Sequence, residues 1–403
     1  MGYTKRVALF PGGAIEMPPS KSIAHRVIIC AALSGRGESL TQAATSEDTA
    51  ATARCAEGLS GGGDKVFDCG ESGSTLRFMI PVASLYPGRK TFVGHGRLMK
   101  RPLGPYLDEL RGHGLDISLS GDAITAEGTL RPGIYRLPGD ISSQFITGLL
   151  LALPLLPGDS EIRLTSPIVS ASYVDVTLDV MSKFGVTAYN DNYARLLIHG
   201  KQRYIYSDVQ IEADYSQAAY FLVAGALGYE CECLGLAPFS RQGDSYIVEL
   251  IKDCGARVRK GRNGGITVFP CDRIKPMVID ATHIPDLVPP LAALLTFADG
   301  ESRIINAGRL RMKECDRLAA VCSELKRLGA KVRAGTDYIL ISGVKRLAGG
   351  VMSSHNDHRI AMMGAVAAIR SDRPVFIENA GCVAKSYPGF WDDFEKRNKG
   401  VMI

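Results

Sequence analysis

The sequence predicts an α/β protein assembled from repeats and divided into two domains, and two series of evenly spaced segments carry that prediction. The first series is six apolar helical runs, each led by polar or cationic residues. They are PPSKSIAHRVIICAALSG from Pro18, ESGSTLRFMIPVASLYPG from Glu71, SSQFITGLLLALPLLPG from Ser142, YSQAAYFLVAGALG from Tyr215, PDLVPPLAALLTFADG from Pro285 and NDHRIAMMGAVAAIRSD from Asn356. One polar residue near each start (Ser22, Ser72, Ser142, Ser216, Asp286, Asp357) gives steps of 50, 70, 74, 70 and 71. The second series is an amphipathic helix stopped by glycine and followed by two short strands about a polar turn. Its stop glycines, Gly114, Gly185, Gly255 and Gly329, lie 71, 70 and 74 apart. Ordinary alternation of helices and strands does not hold such register.

Taken in order, a strand over Arg6 to Phe10 precedes the first apolar helix. A shortened segment, TARCAEGLSGGGDKVFDCG from Thr52, explains the one short step. From Glu71 onward the unit is complete: strand, buried apolar helix, strand, amphipathic helix and a hairpin of two strands, or βαβαββ. Six copies divide into two domains of three. The early strand is expected to pair with the C-terminal half, so the domains are read as 19–212 and as 1–18 with 213–403. The chain then crosses between them near Met17–Ser20 and near Glu212–Asp214. Ser, Asp or Asn at each helix start is expected to cap exposed amides, which gives six helix N-termini favourable to anions.

Composition narrows the function. The 403 residues are 46% hydrophobic and 22% charged, as in globular proteins. No uncharged apolar run approaches the roughly 18 residues of a membrane span, and MGYTKRVALFPGG is too short an apolar patch for a signal peptide, so a cytoplasmic protein is expected. Ten scattered cysteines with no Cys-x-x-Cys pair read as buried free thiols; Cys231 and Cys233 alone are close. A net charge of +5 does not call for a nucleic-acid groove, whereas small anions would be attracted.

The chemistry-bearing residues cluster at the helix starts. Lys21, Ser22 and Arg26 place an ammonium, a hydroxyl and a guanidinium where the helix dipole already favours anions. Gly73, Ser74, Thr75 and Arg77 let a ligand approach the backbone beside a cation, and Arg97 and Arg101 add two more. Ser142, Ser143 and Gln144 offer neutral donors and acceptors suited to hydroxyls and phosphate. Asp286 reads equally as a helix cap or as a functional carboxylate. Lys313, Glu314, Cys315, Asp316 and Arg317 read as a charged turn ahead of a helix, and Lys385 as an exposed loop lysine. His355 and His358 lack a third ligand motif, so no metal is expected.

In their order, SKSIAHR, SGSTLR, GRLMKRPLG, ISSQFITGLLLALP, SASYVDVTL, THIPDL, RMKECDRL, NDHRIAMM and CVAKSYPGF resemble the signatures of the 3-phosphoshikimate 1-carboxyvinyltransferases, the 5-enolpyruvylshikimate-3-phosphate synthases of the shikimate pathway. The likeness runs from about Pro18 to Phe390. It implies the inside-out, barrel-like α/β fold of enolpyruvyl transferases, with six βαβαββ units, three per domain, and an active site in the interdomain cleft. It also implies residue roles. Lys21, Ser22, Arg26, Ser142, Ser143, Gln144, Ser170, Tyr173, Asp286 and Lys313 match positions that hold shikimate 3-phosphate. Lys21, Gly73, Arg97, Gln144, Arg317, Arg359 and Lys385 match those for phosphoenolpyruvate, and Asp286, Glu314 and Lys21 match the catalytic groups. Two positions depart from the pattern. Glu71 stands where many members have asparagine, and it is expected to cap the Gly73 helix or pair with a cation such as Arg77; Arg309 stands where some have another asparagine.

The expected reaction is transfer of the enolpyruvyl group of phosphoenolpyruvate to the 5-hydroxyl of shikimate 3-phosphate, by a monomer that needs no metal or cofactor and binds neither nucleic acid nor membrane. Two rivals remain at this stage. A UDP-N-acetylglucosamine enolpyruvyltransferase would share the repeat but not the SKS and DHR motifs. A catalytically silent anion-binding protein would share the cations but would not need Lys21, Asp286, Glu314 and Arg359 together.

Overall fold

The computed structural model describes residues 3–7, 9–36, 43–59, 63–261 and 264–396. The chain opens with β1 (Lys5–Arg6) and β2 (Gly13–Glu16), then enters α1 (Lys21–Leu33) and α2 (Glu47–Glu57). A full βαβαββ unit follows: β3 (Lys65–Asp68), α3 (Gly73–Ala83), β4 (Lys90–Val93), α4 (Gly104–Gly112), β5 (Leu115–Ser120) and β6 (Ala123–Gly128). The next is β7 (Ile134–Leu137), α5 (Ser143–Ala152), β8 (Ser160–Leu164), α6 (Ser172–Lys183), β9 (Tyr189–Asp191) and β10 (Arg195–Ile198). Then come α7 (Tyr215–Leu227), β11 (Cys231–Leu234), α8 (Ile247–Asp253), β12 (Val258–Lys260) and β13 (Ile266–Val268). Another complete unit is β14 (Val278–Asp280), α9 (Val288–Leu295), β15 (Glu301–Ile305), α10 (Arg317–Arg327), β16 (Lys331–Ala334) and β17 (Ile339–Ser342). The chain closes with β18 (Gly350–Ser353), α11 (His358–Ala368), β19 (Val375–Glu378) and α12 (Phe390–Glu395).

Sheet topology makes the repeat concrete. Four sheets share one order, a parallel pair joined through the apolar helix and then an antiparallel hairpin: β3-β4-β6-β5, β7-β8-β10-β9, β2-β11-β13-β12 and β14-β15-β17-β16. The early strands fill gaps left by the later chain. In the third of these sheets β2 takes the place before α7, pairing parallel with β11. In the fifth sheet among the described residues β1 runs antiparallel to β19, which is parallel to β18. The first apolar helix, α1, has no sheet of its own among the described residues.

The chain divides into two compact units, an N-terminal one, Pro19–Ile211, and a composite one, Met1–Pro18 with Glu212–Ile403. Each holds its own core. Every residue of α7 and α9 is buried, as expected for helices that are apolar all round. The strands instead bury one face: β7 and β10 alternate exposed and buried residues. Helices therefore form the inside of each unit and sheets its outside. The four stop glycines all have positive φ, from +76° to +108°, conformations that residues with a Cβ rarely adopt. All ten cysteines are free and buried.

Candidate functional site

Helix starts position the expected side chains, but not all of those starts are capped as the sequence suggests. Ser72, Ser142, Asp214 and Asp357 accept from backbone amides of α3, α5, α7 and α11. Ser20 makes no such bond to α1, and Asp286, in a 3-10 turn (Pro285–Leu287) ahead of α9, occupies neither cap position; these fall to Ile284 and Leu287. The difference matters most at Asp286, whose carboxylate is committed to side chains instead.

In the N-terminal unit, the Lys21 ammonium lies 2.8 Å from Asp48 Oδ2 in the first turn of α2. Ser22 follows in the first turn of α1, and its carbonyl accepts from Arg26. Arg26 is 2% exposed: Nε donates to Thr177 Oγ1 at 2.8 Å, and Nη2 donates to Thr147 Oγ1 at 3.2 Å and to the Tyr173 carbonyl at 3.0 Å. It thus ties α1 to α5 and α6. Ser170, just before α6, adopts positive φ and is buried, and the Tyr173 amide donates to its carbonyl at 3.2 Å. Ser143 is buried at the start of α5. Gln144 bridges to α3, accepting from Arg77 Nη1 at 2.8 Å and donating to Ser74 Oγ at 2.9 Å.

Gly73 leaves no room for a side chain in this cluster. A Cβ there would lie 2.6 Å from Arg77 Nη1 and 2.7 Å from Arg101 Nη1, so two guanidinium groups converge on the first turn of α3. Arg97 is exposed in the neighbouring loop. Glu71 does not cap α3, because Ser72 occupies that role; its carboxylate lies against Gly96, where a Cβ would be 2.7 Å from Oε2.

The composite unit holds a denser array, three cations among three carboxylates. Arg317, 1% exposed at the start of α10, donates from Nε to Asp357 Oδ2 at 2.9 Å, from Nη1 to Asp286 Oδ1 at 2.9 Å, and from Nη2 to Glu314. Arg359 Nη2 lies 3.1 Å from Asp286 Oδ2 and its Nη1 donates to the Asp286 carbonyl at 3.2 Å. Lys313 Nζ is 3.3 Å from Asp286 Oδ1. Burial works against the Asp286 anion, yet Arg359, Lys313 and Arg317 outweigh it and hold the carboxyl well below the usual range. Burial also pulls the Lys313 ammonium below the ordinary lysine range, against the opposing charge of Asp286. Lys385, read from the sequence as exposed, is buried, and its ammonium donates to the Asn356 carbonyl at 2.8 Å. Arg309 donates to the Thr282 carbonyl at 2.9 Å. His355 meets Glu324 at 2.8 Å, and no group of potential metal ligands occurs among the described residues.

Two residues went unnoticed in the sequence. Asp48 sits in an ordinary capped helix start, SEDT, and only its pairing with Lys21 marks it. Asp244 lies in a short 3-10 turn (Gly243–Tyr246) with no charged block around it in the sequence. Burial, with the charge of Asp286 behind it, pushes its carboxyl up to about 7, although Arg359 and a hydrogen bond from Ser216 oppose the shift.

Repeated α/β units whose helix starts gather arginine and lysine define a class, α/β enzymes that handle small phosphorylated or carboxylated anions. Within that class the chain belongs to the EPSP synthase family: the model of EPSP synthase (3-phosphoshikimate 1-carboxyvinyltransferase) matches residues 11–394. A 3-phosphoshikimate 1-carboxyvinyltransferase of Clostridium perfringens (strain ATCC 13124) is 43% identical over 416 residues, covering 97% of this chain and 98% of the relative. One of Clostridium kluyveri is 42% identical over 407 residues, covering 95% and 94%. Among solved structures, an EPSP synthase from Acinetobacter baumannii superposes with a TM-score of 0.75 at 22% identity, over 97% of each chain.

Proposed function

We propose that the two clusters serve one reaction, transfer of the enolpyruvyl group from phosphoenolpyruvate to the 5-hydroxyl of shikimate 3-phosphate with release of phosphate. Family membership carries the reaction itself. The division of labour among residues rests chiefly on one observation, the carboxyl of Asp286 set within ion-pair distance of Arg359, Lys313 and Arg317.

The hydroxyl oxygen bonds to the carbon that bears phosphate, losing its proton, while the methylene carbon gains one. The tetrahedral adduct then loses a proton from the new methyl group as the carbon–oxygen bond to phosphate breaks. Acid and base must therefore exchange roles. With its cations engaged as they are, Asp286 is a weak base. Anionic substrates compete for Arg359 and Lys313, which returns basicity to Asp286 when the substrate hydroxyl is present. We assign Asp286 to the hydroxyl proton and Glu314 to the methylene carbon, with Lys21, held by Asp48, beside the forming bond. Arg97, Arg359, Lys385 and the Gly73 turn take the phosphate and carboxylate of phosphoenolpyruvate. Ser22, Ser142, Ser143, Gln144, Ser170, Tyr173 and Lys313 take shikimate 3-phosphate. Arg26 and Arg317, whose donors are largely committed within the protein, serve mainly by holding the groups that touch substrate.

The same reading makes the protein a cytoplasmic monomer; no helix among the described residues is long and apolar enough to cross a membrane. Phosphate release measured with each substrate alone and then with both tests it. Release only with both is expected, and undiminished release in the presence of a chelator. Turnover with UDP-N-acetylglucosamine in place of shikimate 3-phosphate would overturn it.

A further inference from the structure

His355 and Asn356, which join β18 to α11, both have positive φ, +52° and +56°. Residues with a Cβ visit this region seldom, and then mostly one at a time. The Asp357 amide donates to the Ser354 carbonyl at 2.9 Å, so residues 354–357 have the positive φ pair and the closing bond of a type I′ turn. Asn192 and Tyr193 show the same pattern, with φ of +50° and +59° and the Ala194 amide donating to the Asp191 carbonyl at 3.0 Å. There the turn closes the hairpin of β9 and β10, and cross-strand pairing maintains it. No hairpin flanks His355 and Asn356: β18 pairs parallel with β19, and the chain runs on into α11. Side chains hold this turn instead.

Chief among them is Glu324 of α10, 1% exposed. Its Oε2 accepts from the Ser353 amide at 2.9 Å, and its Oε1 lies 2.8 Å from His355 Nε2 and accepts from Ser323 Oγ at 3.1 Å. One carboxylate therefore clamps both the residue before the turn and the first left-handed residue within it. The His355 and Asn356 amides donate to Ser353 Oγ at 3.1 Å and Ser354 Oγ at 3.2 Å. Ser354 in turn donates from its amide to the Glu378 carbonyl and from its hydroxyl to the Asn379 carbonyl, at 3.1 Å each. Asn379 opens the 3-10 turn Ala380–Lys385. The turn thus touches both ends of the segment that bears Lys385: Ser354 meets its start, and the Asn356 carbonyl accepts from the Lys385 ammonium at 2.8 Å. On its other side the turn leads directly into Asp357, which caps α11 and receives Arg317, and then into Arg359.

We infer that Glu324 is a positioning residue: by holding the left-handed turn at His355 and Asn356 it sets the Asn356 carbonyl, and through that carbonyl the Lys385 ammonium that meets phosphoenolpyruvate. The inference rests on the assignment of Lys385 to phosphoenolpyruvate. Without Glu324 the Ser353 amide loses its acceptor and His355 its partner. The two residues then relax toward negative φ, where residues with a Cβ are at ease, and that rotation turns the Asn356 carbonyl away from Lys385.

The test compares Michaelis constants for the two substrates, turnover and melting temperature in Glu324→Leu, Glu324→Gln, Asn356→Ala, Asn356→Gly and Lys385→Met. Glu324→Leu and Asn356→Ala should raise the constant for phosphoenolpyruvate about tenfold, the worth of one hydrogen bond to a charged group, and leave that for shikimate 3-phosphate within about twofold. Glu324→Gln, which keeps one carbonyl acceptor, should recover most of the loss. Asn356→Gly, which keeps the carbonyl and takes positive φ without a steric cost, should fall much nearer the parent than Asn356→Ala does. If Glu324→Leu folds poorly, the contrast between alanine and glycine at position 356 decides the matter. Equal rises in both constants, or a lower melting temperature and active fraction with both constants unchanged, would show a merely structural turn and overturn the inference. Lys385→Met separates the two failures. If it raises the constant for phosphoenolpyruvate and the turn variants do not, the role of Glu324 is wrong; if it has no effect, the assignment of Lys385 is wrong and the inference falls with it.

Discussion

At the scale of single residues, the carboxylates differ because of what surrounds them. Asp286 stands among three cations, and Glu314 shares one of them, Arg317. Asp286→Asn and Glu314→Gln should each lower turnover by roughly 10²–10⁴-fold, with substrate binding largely kept; near-normal turnover in either would remove its assigned role. Asp244 behaves in the opposite way. Its folded value of about 7 lies above the ordinary carboxyl value of about 3.9, so the folded protein binds this proton more tightly than the unfolded chain does. The stabilisation is complete below about pH 4 and is lost as pH rises through about 7, at up to ~1.4 kcal/mol per pH unit between them. Asp286, held low, contributes stability above the ordinary carboxyl range that disappears only as pH falls through its own depressed value. Urea midpoints at pH 5 and pH 8 should therefore differ less in Asp244→Asn than in the parent protein. An identical pH dependence in both would show that Asp244 does not take up a proton on folding in this range, and would overturn the raised value.

At the scale of elements, the N-terminal arm completes two sheets whose helices lie far along the chain: β2 joins the sheet of α7, which begins at Tyr215, and β1 that of α11, which begins at His358. Between β1 and β2, Phe10 is 1% exposed, with ring centroids 5.0 Å from Phe394 of α12 and 6.3 Å from Phe221 of α7. Lys5 adds an ion pair to Glu395 at 2.8 Å, which is partly solvated and contributes little. Phe10→Ala should cost about 3–5 kcal/mol of stability in the composite unit, as truncation of a buried aromatic does. Denaturant unfolding checks this, and a loss below about 1 kcal/mol would mean that strand pairing, not the aromatic cluster, holds the arm.

At the scale of the whole molecule, the path we propose adds a proton to a carbon and later removes one from the same methyl group. Once that methyl rotates, the proton removed need not be the one added. Turnover in deuterium oxide should place deuterium in the vinyl methylene of the product, and in phosphoenolpyruvate recovered before completion if the adduct reverts. Mass spectrometry of both reads the result; product free of deuterium would exclude an addition–elimination path.

The sequence by itself determined the repeat and most of the cation inventory. Helical and strand periodicities are local, and the steps near 71 residues persist in one dimension whatever the chain does in three. The stop glycines were legible for the same reason, since a left-handed residue after a helix is a local requirement. What Asp286 does was decided only by tertiary structure. A polar residue before an apolar helix reads as a cap, and nothing nearby in the chain reveals that Arg317 and Arg359, 31 and 73 positions later, claim its carboxylate. Lys385 read as exposed and proved buried, because its partner is a backbone carbonyl 29 residues away. Asp48 and Asp244 were hidden for the same physical reason: the pKa and the partners of a carboxyl depend on burial and on groups from other helices, and those are assembled only when the chain folds.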